Sequence, residues 1–345
     1  MDFASRTLNL TPMEVRCLPV EDRHGRPLCV AIAKITYDVS PTGVARLSKH
    51  PSPIRTGDEP NDGSPFASTR FPHDYEGEKP GTDVIVVGTA FPPDGQPVSD
   101  MLVSVRVGHL FKAIRVFGAR VYQLRVLGGV EPGPAQRLGP TPIRYELAFG
   151  GTDEVDGRRV AHPQNPLGMG FAEARRKLAG AAAHRLEVDA RALDKSREPA
   201  GFGAIDPHWS PRLELIGSRD LEWQRSRAPL PPLDFDPRHA CAAHPDLHSD
   251  APLSPDEPVE IIGMTPEGIW RFRLPKVSPI FSSTMRGEER PHETHLDTFI
   301  IDADEGRVEL VFRAAIPLPK KAQLLERVTV RATGELSPVT LSEAS

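Results

Sequence analysis

Leu28-Cys29-Val30-Ala31-Ile32-Ala33-Lys34-Ile35-Thr36-Tyr37-Asp38-Val39 is an apolar run rich in β-branched residues, closed by Ser40-Pro41-Thr42-Gly43 and answered by Ala45 to Leu47. Such side chains fit a pleated surface, and the Pro/Gly turn returns the chain, so the segment reads as a hairpin. The same grammar recurs. Val84 to Ala90 is a second apolar run, launched by Lys79-Pro80-Gly81-Thr82-Asp83, and residues 101–108 and 111–118 alternate apolar and polar side chains with a period of two. Residues 259–264 and 269–275 flank the turn Thr265-Pro266-Glu267-Gly268, residues 296–302 and 307–314 flank Asp304-Glu305-Gly306, and Arg327 to Ala332 is a last strand.

Between these runs the chain changes character. Residues 51–82 carry Pro, Gly, Asp and charge without periodicity. Tyr145 to Phe149 reads as a strand ending at Gly150-Gly151. Phe171 to Leu186 reads as a helix, with Phe171, Ala174, Leu178 and Ala182 on one face and Gly180 as its weak point. From Arg197 to Asp236, prolines and aromatics describe a long ordered coil laid over the sheets. The expected fold is mainly β, with antiparallel sheets forming two packed sandwich- or barrel-like lobes, long Pro/Gly-rich ordered loops and one short helix. The expected divisions are an N-terminal β lobe at 1–150, a loop-rich segment at 151–236 with its helix at about 171–186, a C-terminal β lobe at 237–335 and a flexible tail at 336–345.

Composition narrows the function classes. The 345 residues include 37 prolines and 28 glycines, but 39% are hydrophobic, which implies many turns rather than disorder. A net charge of −5 provides no basic field for nucleic acid or an anionic membrane. No apolar stretch approaches the roughly 18 residues of a membrane-spanning helix, and the start lacks the order of a signal peptide, so the expected location is the cytoplasm. The three cysteines, Cys17, Cys29 and Cys241, are odd in number and read as reduced thiols, with Cys29 in the core.

Little in the sequence reads as reaction chemistry. Gly-x-Ser-x-Gly, the phosphate-cradling Gly-x-x-x-x-Gly-Lys-[Ser/Thr] and His-Glu-x-x-His are all missing from the sequence. His184 and His208 read as structural histidines. The strongest enzymatic suspicion is the run from His239 to His248, where His239, Cys241, His244 and His248 offer four nitrogen and sulfur donors within ten residues, with Asp234 and Asp236 just upstream. Their spacing fits no standard zinc motif, and the competing reading is a His-rich surface loop. The span from Trp209 to Leu230 gathers Trp209, Arg212, Trp223, Arg225 and Arg227, the residue types that anchor protein interfaces, and is the candidate partner surface. The competing reading puts the indoles in the core and uses the arginines to cap carbonyls.

Glycines alternating with aromatics and proline form three blocks: Tyr145 to Gly151, Asn165 to Phe171, and Gly201 to Arg212. They describe backbone at positive φ packed under rings, and Gly150, Gly151, Asn165, Pro166, Gly168, Gly170, Gly201 and Gly203 are its fold-defining residues. Their order, together with Lys79-Pro80-Gly81-Thr82-Asp83, Gly88-Thr89-Ala90, Lys112-x-x-x-Val116-Phe117-Gly118-Ala119-Arg120, Trp223-x-x-x-Arg227-x-Pro229, Pro232-x-Asp234-Phe235-Asp236 and Leu296-Asp297-Thr298, resembles a bacterial family of unknown-function proteins encoded beside type VI secretion genes. The resemblance runs as one continuous domain from about residue 20 to residue 330. Two departures are Leu186 to Leu193, where the family has a Leu-Pro-Asn-like segment, and Phe312, where it has a tryptophan near the end.

The resemblance implies a non-enzymatic adaptor or chaperone. It would hold a type VI effector and help load it onto the secretion spike through a spike protein or its proline-alanine-alanine-arginine tip domain. No cofactor, metal, nucleic acid, membrane or small-molecule substrate is expected. The alternatives are a metal-dependent hydrolase or secreted effector using the His239–His248 cluster, and a structural component of the secretion apparatus.

Overall fold

The computed structural model describes residues 4–94, 96–125, 128–188, 198–319, 324–334 and 336. The fold is mainly β, and among the described residues three sheets have four or more strands. The seven-stranded sheet runs His248–Ser249, Thr82–Val87, His295–Asp302, Arg307–Pro317, Pro27–Val39, Glu14–Glu21, with Ala45–Leu47 also paired to Pro27–Val39. Thr82–Val87 lies parallel to His295–Asp302, and the other pairs are antiparallel. The five-stranded sheet is antiparallel in the order Leu186–Val188, Leu110–Phe117, Asp100–Val107, Pro258–Ile262, Ile269–Arg273. A four-stranded sheet orders Thr7–Asn9, Leu325–Gly334, Val277–Met285, Glu288–His292. None of these sheets closes into a barrel.

The hairpins expected at 28–47, 259–275 and 296–314 form as read. Segments assigned to the N-terminal and C-terminal lobes share sheets: Pro27–Val39 pairs along its length with Arg307–Pro317, and Asp100–Val107 pairs with Pro258–Ile262. One apolar cluster runs through them, from Met13 to Val330. In the five-stranded sheet, Val103, Val105 and Val107 alternate inward with Val259, Ile261, Trp270 and Phe272, as period-two patterning requires. Trp270 ties this sheet to the turn that follows Pro27–Val39, because its indole N–H donates to the Ser40 carbonyl at 3.0 Å.

The helix expected at 171–186 does not form. The segment holds a short 3-10 turn at Arg175–Leu178, breaks at Gly180 with φ of 84°, and joins the sheet at Leu186–Val188. Backbone pairing decides the outcome: Gly180 donates to Tyr122 O, Tyr122 to Ala181 O, and Ala183 to Arg120 O. These cross-chain bonds take the groups a helix would use internally. Among the described residues, the α-helix is Leu221–Ser226, inside the stretch read as coil, and the Asp220 carboxylate caps it by accepting from Trp223 N at 2.8 Å. Tyr145–Leu147, read as strand, is a 3-10 turn, and the strand is only Phe149–Gly150. Residues 189–193 of the Leu186 to Leu193 departure, and the tail apart from Leu336, lie outside the described residues.

The three glycine blocks meet. Phe149–Gly150 pairs in parallel with Met169–Gly170. Buried Asn165 donates its side-chain amide to the carbonyls of Tyr145 (2.8 Å) and Phe149 (3.0 Å), and Trp209 stands edge-on to Tyr145 with ring centres 5.5 Å apart. Gly170, at φ of 99°, sits where a Cβ would fall 1.9 Å from the Tyr122 hydroxyl. Glycine there is required by close approach.

Candidate functional site

The register of the large sheet lines up Asp83, Thr298, Val311 and Lys34 across four neighbouring strands. Three of these four are polar, and all lie on the face opposite Ala31, Ala33 and Ile35. That face is charged and dry. Lys34 is fully buried and reaches Asp74 at 3.0 Å and Glu309 at 2.9 Å. Arg55 grips Glu309 with both terminal nitrogens, at 2.5 and 2.9 Å. Arg313 pairs with Asp297 at 2.6 Å and donates to the carbonyls of Asp74 and Glu76. Thr298 donates to Asp297, and Lys79 bridges Thr298 (2.6 Å) and Asp83 (2.9 Å).

The chain of contacts ends at a cleft. Asp83 accepts from the backbone N–H of Ala242 at 2.7 Å and sits 2.9 Å from His248 Nδ1. Much of the cover over this face comes from the stretch 51–82 that lacked periodicity in the sequence. Arg55, Asp74 and Lys79 pair with the sheet's charges, and Ile54 packs beside them on Val30, Ile32 and Val311, so ion pairs fix the stretch together with a small apolar contact. The sequence did carry a signal: Lys34 and Glu309 each stand between apolar neighbours inside a strand run, where a buried charge survives only if paired. Asp302, at the end of its strand, is 6% exposed and paired with Arg70 at 2.9 Å.

Burial works against ionisation of Glu309, but the Arg55 hydrogen bonds and the charges of Lys34 and Arg55 outweigh it and hold the carboxyl down at about 2. An unfolded Glu titrates near 4.3. With the folded value depressed, the contribution of Glu309 is full above the unfolded value and is lost as pH falls from about 4 to about 2. Denaturant unfolding at pH 6, 4 and 3 is therefore expected to show stability falling with acid, with a shallower fall in Glu309→Gln. Equal slopes for the two proteins would contradict this role for the carboxylate.

The sequence-suggested donor cluster divides in space. Cys241 and His248 come together with Asp83, and one ligand atom from each lies within 4.8 Å of the others. His244 Nδ1 instead accepts from Asp246 N at 3.1 Å, and the His239 ring lies against Phe235. Asp83, 165 residues from His248, was missed because only the sheet register brings it there. Cys241 and His248 line a cleft of about 410 Å³ with Arg212, Arg238, Leu215 and Asp250. Burial, with the Asp83 charge adding, pushes the Cys241 thiol up to about 12.

The candidate partner residues also divide. Trp209 is 5% exposed and Arg212 6%, and Arg212 donates to the carbonyls of Ile205 (2.5 Å) and His239 (2.8 Å). For these two, the competing reading of core indole and carbonyl-capping arginine is what the structure has. Trp223 is half-buried, its indole N–H on Leu230 O at 2.8 Å, and Arg227 ties the helix to the carbonyls of Pro231 and Arg23. Arg225 is exposed. Two leucines in and just beyond this segment, Leu221 and Leu233, are 67% and 86% exposed.

A family model matches residues 24–313, a span that contains the whole ionic chain from Lys34 to Arg313 and the three glycine blocks. The chain belongs to the DUF2169 family of uncharacterized proteins conserved in bacteria. No curated protein and no solved structure matches it. The family span begins just before the Pro27–Val39 strand and ends within its partner Arg307–Pro317, so it brackets the central pairing of the large sheet. Among the described residues, no helix is long and apolar enough to cross a membrane.

Proposed function

We propose that the protein is a non-enzymatic adaptor or chaperone that binds a type VI secretion effector and helps load it onto the secretion spike. The secretion context rests on the resemblance of the ordered sequence blocks. The structural support is the segment 220–235. It is held by the Asp220 cap, the Trp223–Leu230 bond and the Arg227 contacts to the carbonyls of Pro231 and Arg23, yet it presents Leu221, Leu233 and Arg225 to solvent. An anchored loop that leaves two large aliphatic side chains in water is a prepaid binding surface, because little ordering remains to oppose association.

The combined variant Leu221→Asp, Arg225→Glu, Leu233→Asp tests the reading. These side chains are exposed, so each change is expected to alter folding stability by no more than about 0.5 kcal/mol. Loss of central interface anchors costs about 2 kcal/mol or more, so affinity capture from the native bacterium should recover a toxin-like effector or spike component with the wild-type protein and at least about tenfold less with the variant. Equal recovery by both proteins would remove this surface from the account. Recovery of neither class of partner by the wild type would overturn the adaptor reading.

A further inference from the structure

We infer that Cys241 and His248 bind a thiophilic divalent cation of the zinc class, with Asp83 fixing the imidazole from behind and Asp250 supplying a third protein ligand. The site stands apart from the 220–235 platform, and its validity does not depend on the adaptor reading.

Asp83 is fully buried and its Oδ1 lies 2.9 Å from His248 Nδ1, so Nδ1 donates and Nε2 carries the free lone pair. This carboxylate–histidine pairing is the arrangement that sets tautomer and ring orientation in metal-ligating histidines. Nε2 is buried and has no hydrogen-bond partner, which is costly for an acceptor unless something occupies it. Asp250 Oδ1 lies 3.6 Å from Nε2. Zinc bonds of 2.0–2.2 Å at tetrahedral angles put two such ligands about 3.4 Å apart, so little movement is needed.

Cys241 supplies the sulfur. A carboxylate oxygen of Asp83, the Cys241 sulfur and a ring nitrogen of His248 are mutually within 4.8 Å, and the sulfur's own hydrogen bond, to Pro80 O at 3.5 Å, is that of a weak thiol donor. The Asp83 oxygens are themselves engaged by Lys79, Ala242 N and His248, which suits a supporting role rather than direct ligation. Gly81, at φ of 64°, completes the seat: a Cβ there would come within 2.9 Å of the His248 ring. The roughly 410 Å³ cleft in front leaves room for a water or a partner group as the fourth ligand. Sulfur with imidazole nitrogen selects zinc-like ions over magnesium or calcium. Once bound, the ion would fasten the 241–250 loop to the edge of Thr82–Val87, where His248–Ser249 already pairs.

The test is cobalt(II) titration of chelator-treated, full-length protein. One equivalent should produce a thiolate-to-cobalt charge-transfer band with tetrahedral ligand-field absorption, and zinc should displace it. Cys241→Ser should abolish the thiolate band, and His248→Gln should weaken binding at least tenfold. The pair His239→Gln and His244→Gln, on the donors that the sequence grouped with them, should leave it unchanged. Zinc should also slow alkylation of Cys241 in the wild-type protein, a readout that needs no variant to fold. Absence of a thiolate band in the wild type, its persistence in Cys241→Ser, or its loss in the His239/His244 variant would each overturn the assignment.

Discussion

Glu309→Gln is expected to destabilise the protein by about 3–5 kcal/mol, the cost of breaking a buried ionic cluster by removing one partner. Glu309 is 4% exposed and is the shared counter-ion of Lys34 and of both terminal nitrogens of Arg55. Glutamine keeps the shape but not the charge, leaving Lys34 with Asp74 alone and Arg55 with the half-exposed carboxylate of Glu59. Glu59→Gln is the control. Its side chain is 52% exposed, so solvent screening limits its loss to about 1 kcal/mol or less. Urea unfolding of the three proteins measures both numbers. A Glu309 cost no larger than that of Glu59 would show that the face is not held by its charges.

Gly150→Ala is the second large effect. A Cβ at Gly150 would lie 2.2 Å from the backbone oxygen of Asn165, and the residue sits at φ of 147°, where side chains are strained. Strain and overpacking each cost about 1–3 kcal/mol, and neither can relax easily because the Asn165 side chain is held by two buried carbonyls. The expected loss is about 3 kcal/mol or more. Gly203→Ala, where a Cβ meets nothing within 4 Å, should be close to neutral. Thermal unfolding compares the two, and similar melting points would contradict the view that the glycine blocks form a rigid clasp.

The local hairpins were legible because alternation and turn residues are properties of contiguous sequence. The pairing of Pro27–Val39 with Arg307–Pro317 was not, since nothing in either strand specifies a partner some 280 residues away. The helix expected over 171–186 shows propensity overruled by tertiary pairing: good helix formers around Gly180 gave up helical bonds for the edge that Arg120 and Tyr122 present. The glycine blocks were visible as shape, and their meeting through Asn165 follows from that shape. At the cleft, Cys241 and His248 could be noticed as donors, but His239 and His244 looked equivalent to them. Only the register that puts Asp83 beside His248 separates the four.

The partner residues divide for a similar reason. One chain of letters does not distinguish Trp209, edge-on to Tyr145 in the core, from Trp223, which braces an exposed loop. Leu221 and Leu233 were overlooked because an aliphatic residue in sequence reads as core by default.

The adaptor reading is tested most directly by effector secretion in the native bacterium lacking this protein, restored either with the wild type or with Leu221→Asp, Arg225→Glu, Leu233→Asp. The account predicts that the deletion lowers effector in the culture fluid, that the wild type restores it, and that the variant, present at the same level and folded, does not. Secretion unchanged by the deletion, or restored equally by the variant, would contradict it.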